Sequence, residues 1–214
     1  MQISDISFDS YDVIILDCDG VVFDSNNLKI KAFESCLKEY GDDKTNQFIK
    51  FFKKNFGTSR FSLTKHFIEE ILSRDFDPVL YDKILSKYSA KCKILYSEAK
   101  FTEGCEEFLK RYARKKLFIA SGSDQTELRR VFNDRQISNY FCNIFGSPVK
   151  KVELVKSIVE ENSESSLVMI GDAKSDFLAA NASSIDFIYM QNYSTNQEFF
   201  YDINCHVISN LGDL

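Results

Sequence analysis

Apolar residues follow two rhythms along the chain. Val13, Ile14, Ile15 and Leu16 form an unbroken run, the pattern of a strand covered on both faces. From Ser25 to Tyr40 the rhythm changes, with Leu28, Ala32, Phe33, Cys36, Leu37 and Tyr40 recurring at a helical period. Ser25 is placed to cap this helix and Gly41 to end it. The period returns over 45–56 and 62–73, the second with Leu63, Phe67, Ile68, Ile71 and Leu72 on one face. Asp77-Pro78 is a cap and first-turn pair for a further helix to about Lys93. Residues 25–98 therefore read as a helical block without a convincing strand.

After Gly104 strands and helices alternate. A helix over Glu106–Arg114 feeds a strand at Leu117–Ala120, and another helix starts near Asp124, with Ser123 placed as its cap. A strand near Phe141–Phe145 precedes a helix at Lys151–Glu161. The strand Leu167–Ile170 leads into a helix from Ser175, and short strands follow at Phe187–Met190 and His206–Ile208. This alternation predicts an α/β fold, a doubly wound parallel sheet with an inserted helical domain. The expected division is 1–24 with 99–214 for the sheet domain and 25–98 for the insert. Ligands of such sheets bind beyond the carboxyl ends of the strands, so the residues there carry the functional information.

Those ends are polar. The first strand gives Asp17-Cys18-Asp19-Gly20, the second Ser121-Gly122-Ser123, and the fourth Gly171-Asp172 with Asp176 shortly after. A lysine pair, Lys150-Lys151, opens the helix between them. Carboxylates gathered beyond a buried strand repel one another and need a counter-charge. Hard carboxylate oxygens suit Mg²⁺, and a hydroxyl, an ammonium and a nucleophilic carboxylate beside it suit phosphoryl transfer.

Composition narrows the setting. Net charge is −5, which argues against a nucleic-acid partner, whose binding needs a basic face to displace counterions. It does not forbid an anionic substrate, since a local metal or lysine pocket can override the overall sign. No apolar run is long enough to span a membrane. The start, MQISDISFDSYD, is too acidic and polar for a signal peptide. Six scattered cysteines form no CxxC pair, and two histidines, His66 and His206, do not make a zinc site. The expected location is the cytoplasm, with reduced thiols.

DxDGVxxDS at the first strand, Ser121 after the second, a lysine before a helix and GDxxxD after a later strand resemble the haloacid dehalogenase superfamily. The helical insert resembles the small cap of its phosphoglycolate phosphatase and β-phosphoglucomutase branch. The resemblance implies a Mg²⁺-dependent phosphatase that hydrolyses a small phosphorylated metabolite, a sugar phosphate or phosphoglycolate-like ester, through an aspartyl-phosphate. Asp17 would be the nucleophile and Asp19 the general acid and then base. Mg²⁺ would be held by Asp17, the Asp19 carbonyl, Asp172 and Asp176. Ser121, Gly122 and Gly20 would line the phosphate position, and Lys151, preferred over Lys150, would balance the charge. Gly57-Thr58-Ser59-Arg60 resembles a cap loop in which Arg60 reaches the substrate. Asp24 is expected to organise the turn into the cap. A phosphomutase is the alternative, weakened by Lys29 standing where that branch places a histidine. A second alternative is a silent binding protein on the same fold.

Overall fold

The computed structural model describes residues 8–214, so the start of the acidic N-terminal stretch, residues 1–7, lies outside the described residues. Its centre is β1 (Val13–Leu16) in a six-stranded sheet. The other strands are β2 (Lys116–Asp124), β3 (Asn143–Ser147), β4 (Leu167–Gly171), β5 (Asp186–Met190) and β6 (His206–Ile208). The order is β3-β2-β1-β4-β5-β6, and every pairing is parallel. This is the doubly wound sheet that the alternating pattern predicts.

β1 shows why an unbroken apolar run was needed. Ile14 and Leu16 face one apolar layer with Leu117, Ile119, Val168 and Ile170. Val13 and Ile15 face the opposite layer, against Leu154, Val155 and Ile158 of α7 (Lys151–Glu161) and Ala179 and Ala180 of α8 (Lys174–Ala182). Alternation at a period of two puts successive side chains on opposite faces, so both sets must be apolar. The first layer also takes Phe108 and Leu109 of α5 (Cys105–Arg111) and Leu128 and Val131 of α6 (Gln125–Asp134).

Between β1 and α5 the chain is helical: α1 (Asn26–Leu37), α2 (Asp42–Lys54), α3 (Arg60–His66) and α4 (Pro78–Glu98). Phe33 anchors their packing, stacked on Tyr88 with ring centres 3.7 Å apart and lying 5.0 Å from Phe48 and 5.1 Å from Phe52. Asp77 caps α4 as expected, accepting from the Val79 and Leu80 amides at 2.9 and 3.1 Å. His66 stacks on Phe51, and His206 is exposed on β6.

Several local expectations need correction. Ser25 stands at the start of α1 but makes no side-chain cap, because its hydroxyl donates instead to the Asp19 carboxylate at 2.6 Å. Asp124, not Ser123, caps α6, accepting from the Glu127 amide at 2.9 Å. The helix expected over 62–73 starts at Arg60 and widens into a π-helical turn at Phe67–Ile71, which keeps Phe67, Ile68 and Ile71 buried. β3 begins at Asn143, because Phe141 closes a 3₁₀ turn at Ser138–Tyr140. β2 runs on through Ser121-Gly122-Ser123, with its register against β3 broken between Ala120 and Asp124. Among the described residues no helix is long and apolar enough to cross a membrane.

Candidate active site

The sheet brings the acidic residues together. β1 lies between β2 and β4, with Leu16 in register with Ile119 and Ile170. The Asp17 amide donates to the Ile170 carbonyl at 3.0 Å, so the chain carries Asp17 alongside the end of β4 before turning away. Carboxylate oxygens of Asp17, Asp172 and Asp176 lie within 4.8 Å of one another, and all three residues are buried. Lys151, from the first turn of α7, reaches into the group. Its Nζ is 2.9 Å from Asp17 Oδ1 and also contacts Asp176 Oδ1. Lys150 stays exposed at the helix start.

Three carboxylates and one ammonium leave a net charge of −2 when all are ionised. Burial raises Asp17 to about 7, with Asp176 and Asp19 adding to the rise and Lys151 opposing it. Burial also lifts Asp172 well above the usual range, helped by Asp176 and Asp17 and resisted by Asn26 and Lys151. Asp172 Oδ1 is buried without a hydrogen-bond partner. A dense hard-oxygen set with that charge and an orphaned oxygen fits a divalent cation such as Mg²⁺. Gly20 keeps the space open: with φ +84°, a Cβ there would sit 2.4 Å from Asp172 Oδ2.

Asp19 has a different environment. Its carboxylate accepts from Ser25 at 2.6 Å, Tyr96 at 2.8 Å and Ser123 at 2.9 Å, and is in contact with the Lys29 ammonium. Burial acts to raise its pKa, but the Lys29 charge and these donors outweigh it, and the net direction is downward. Ser121 is buried within β2, three residues before its end, where its hydroxyl accepts from the Ser123 amide at 3.2 Å. Gly122 meets the helical block, since a Cβ there would lie 2.0 Å from the Gly57 carbonyl oxygen. Ser175 also donates to the Phe56 carbonyl at 3.2 Å, so the 56–60 loop sits directly over the strand ends. The cavity beneath it measures about 20 Å³, room for a single water.

Arg60 lines this cavity, but its fork is engaged. Nη1 and Nη2 each donate to a Glu127 oxygen at 3.0 Å, Nη1 also donates to Ser89 Oγ at 2.9 Å, and the guanidinium lies 4.8 Å from the Tyr88 ring centre. Asp24 is exposed, and its amide donates to the Lys100 carbonyl at 2.9 Å, where the two chain crossings meet.

The structure brings together Asp17, Asp19, Gly20, Ser121, Gly122, Lys151, Asp172 and Asp176, with Arg60 at the cavity wall. It adds contacts that the motifs do not assign. Asn26 Nδ2 donates to Asp172 Oδ2 at 2.6 Å and to the Tyr193 carbonyl at 2.8 Å. Lys29, Tyr96 and Ser123 surround Asp19, and Glu127 holds Arg60. Lys29 carried a readable signal, because it lies four residues before Phe33 and seven before Cys36 on the buried stripe of α1. Tyr96 had none, since a tyrosine on an apolar stripe reads as core.

Known structures share this arrangement of chain. CbbY of Rhodobacter sphaeroides, solved in complex with phosphate, superposes with a TM-score of 0.72 over 95% of this chain and 96% of that one, at 17% identity. A haloacid dehalogenase-like family protein of Streptococcus pneumoniae gives 0.68 over 94% and 95%, at 19% identity. YfnB of Bacillus subtilis, solved with magnesium bound, gives 0.67 over 95% and 96%, at 14% identity. At these identities the likeness is one of fold. Comparison with the curated proteins found no match. The haloacid dehalogenase-like hydrolase model matches residues 14–190, from β1 through β5 and across every strand end described above, and the chain belongs to that family.

Proposed function

We propose that the protein is a Mg²⁺-dependent phosphomonoesterase acting on a small phosphorylated metabolite through an aspartyl-phosphate. One observation carries this reading: Asp17, Asp172 and Asp176 converge at adjacent strand ends with Lys151 paired to two of them. Asp17, Asp172 and Asp176 would hold Mg²⁺, with the Asp19 carbonyl as a further ligand. Bound there, the ion would neutralise phosphate charge and polarise the phosphorus towards attack.

In the first step an Asp17 oxygen attacks phosphorus and the ester oxygen leaves with a proton from Asp19. In the second, Asp19 takes a proton from a water that attacks the aspartyl-phosphate, which releases phosphate and restores Asp17. The Lys29 ammonium and the donors around Asp19 favour its carboxylate, the form needed for the second step. They oppose the protonated form that the first step needs, which Asp19 would regain from the water it deprotonates in the preceding turnover. Ser121 and the Gly122 amide would hold phosphate oxygens, and Lys151 would keep Asp17 ionised as the phosphate approaches. The helical block would act as a cap. A cavity of about 20 Å³ is too small for a phosphate ester, so the block would open about the crossings at Asp24 and Lys100 to admit one. The phosphate in the CbbY structure and the magnesium in the YfnB structure are the two species this reading requires.

The test is hydrolysis of p-nitrophenyl phosphate. Activity should depend on added Mg²⁺, vanish with a chelator, and fall at least roughly a hundredfold in Asp17→Asn. Activity that survives either change would remove Asp17 or the metal from the mechanism.

A further inference from the structure

The cavity facing Asp17 and Asp19 is walled by Phe33, Phe52, Phe56 and Leu63 and contains two cations, Lys29 and Arg60. With the helical block seated on the sheet, neither offers free charge. Lys29 is paired with Asp19, and Arg60 with Glu127, a carboxylate carried by α6 on the sheet side of the cavity. Lys151, the next cation, is taken by Asp17 and Asp176. All of these groups are buried. An anionic group on the leaving alcohol would therefore be desolvated among carboxylates with no unpaired cation among the described residues that line the cavity.

Hydrogen-bonding capacity remains, however. Of the five N–H donors of a guanidinium, Glu127 and Ser89 occupy three on Arg60. That leaves two donors on Arg60 without these partners, and Thr58 adds a hydroxyl at the cavity wall. The aromatic wall suits the C–H face of such a molecule.

We propose that the substrate is a phosphate ester of a neutral hydroxylated alcohol, of the sugar or polyol class, and that Glu127 sets this specificity by neutralising Arg60. Esters with a second anionic group, a carboxylate or another phosphate, are disfavoured. The proposal rests on the phosphatase reading above and deepens it.

The experiment measures competitive inhibition of p-nitrophenyl phosphate hydrolysis by two matched pairs, so that an ester is scored whether or not it is turned over. The pairs are glycerol phosphate against phosphoglycerate, and a hexose monophosphate against its bisphosphate. Wild type should bind the neutral-alcohol member about tenfold or more tightly. Glu127→Gln keeps the shape and frees the Arg60 charge, so the gap should close or invert. Arg60→Gln/Glu127→Gln removes both charges and should restore the neutral preference, which also covers the case where the single variant does not fold. Equal or tighter wild-type binding of the anionic members overturns the proposal, as does competition by none of the four esters. An unchanged ratio in a folded Glu127→Gln overturns it too. Loss of the phosphatase reading itself has a different signature, the absence of Asp17-dependent hydrolysis of p-nitrophenyl phosphate.

Discussion

Mg²⁺ should stabilise this protein far more at alkaline than at acidic pH. Asp17, Asp172 and Asp176 are 2%, 0% and 0% exposed, and among the described residues their one ion-pair partner is Lys151. Burial, with the neighbouring carboxylates, raises Asp17 from 3.8 to about 7. A carboxyl whose folded value lies above its unfolded one stabilises the fold in its protonated form. That stabilisation is complete below about pH 4 and is lost as pH rises through about 7. The difference corresponds to on the order of 4 kcal/mol, or up to roughly 8–16 °C in melting temperature for a chain of this size. A divalent cation removes the penalty by matching the ionised cluster. Thermal melts in chelator and in Mg²⁺, at about pH 5.5 and about pH 8, isolate the effect as a difference of differences. The Mg²⁺-induced rise should be several degrees larger at the higher pH. Asp17→Asn should melt above wild type in chelator at the higher pH, because one ionised carboxylate is gone while Lys151 keeps Asp176. An equal Mg²⁺ effect at both values, or an Asp17→Asn protein less stable than wild type in chelator, would refute the electrostatic argument.

Two further substitutions probe the residues around the carboxylates. Asn26→Ala removes the donor on Asp172 Oδ2 and should weaken Mn²⁺ binding, measured by calorimetry, by about tenfold; unchanged affinity would show that Asp172 is oriented without it. Lys29→Met takes the cation from Asp19 and should lower kcat about ten- to a hundredfold at nearly constant KM, with Lys29→Arg recovering part of the loss. A change confined to KM would make Lys29 a substrate-binding group instead.

The legible and illegible parts of the site divide along one physical line. Asp17 and Asp172 could be placed together from the chain alone, because a parallel sheet aligns the carboxyl ends of neighbouring strands and both residues follow apolar runs. Lys151 was readable to within one residue, and burial distinguishes it from Lys150. Partners supplied by helix packing were not readable in this way. Arg60 and Glu127 are 67 positions apart, on two helices whose relative placement depends on how the block between β1 and α5 seats on the sheet. Ser25 and Ser123 read as ordinary caps, since that is what serines at helix starts usually do. A buried carboxylate between them competes for their hydroxyls, and in a low dielectric a charged acceptor outweighs a helix amide that water can satisfy.

The same competition alters what the charged residues mean. An arginine in a loop facing a phosphate site reads as an anion receptor, because sequence shows the cation and not its partner. Glu127 lies in the first turn of α6, where an acidic residue already has a sufficient local reason to be, the helix dipole. Nothing along the chain marks it as the neutraliser of a cation carried by another element. Packing brings the two together, and a feature that suggests a second phosphate becomes a charge-neutral hydrogen-bonding wall when the block is seated. Selectivity in this site is therefore set by which cations the fold leaves unpaired, a smaller number than the sequence contains.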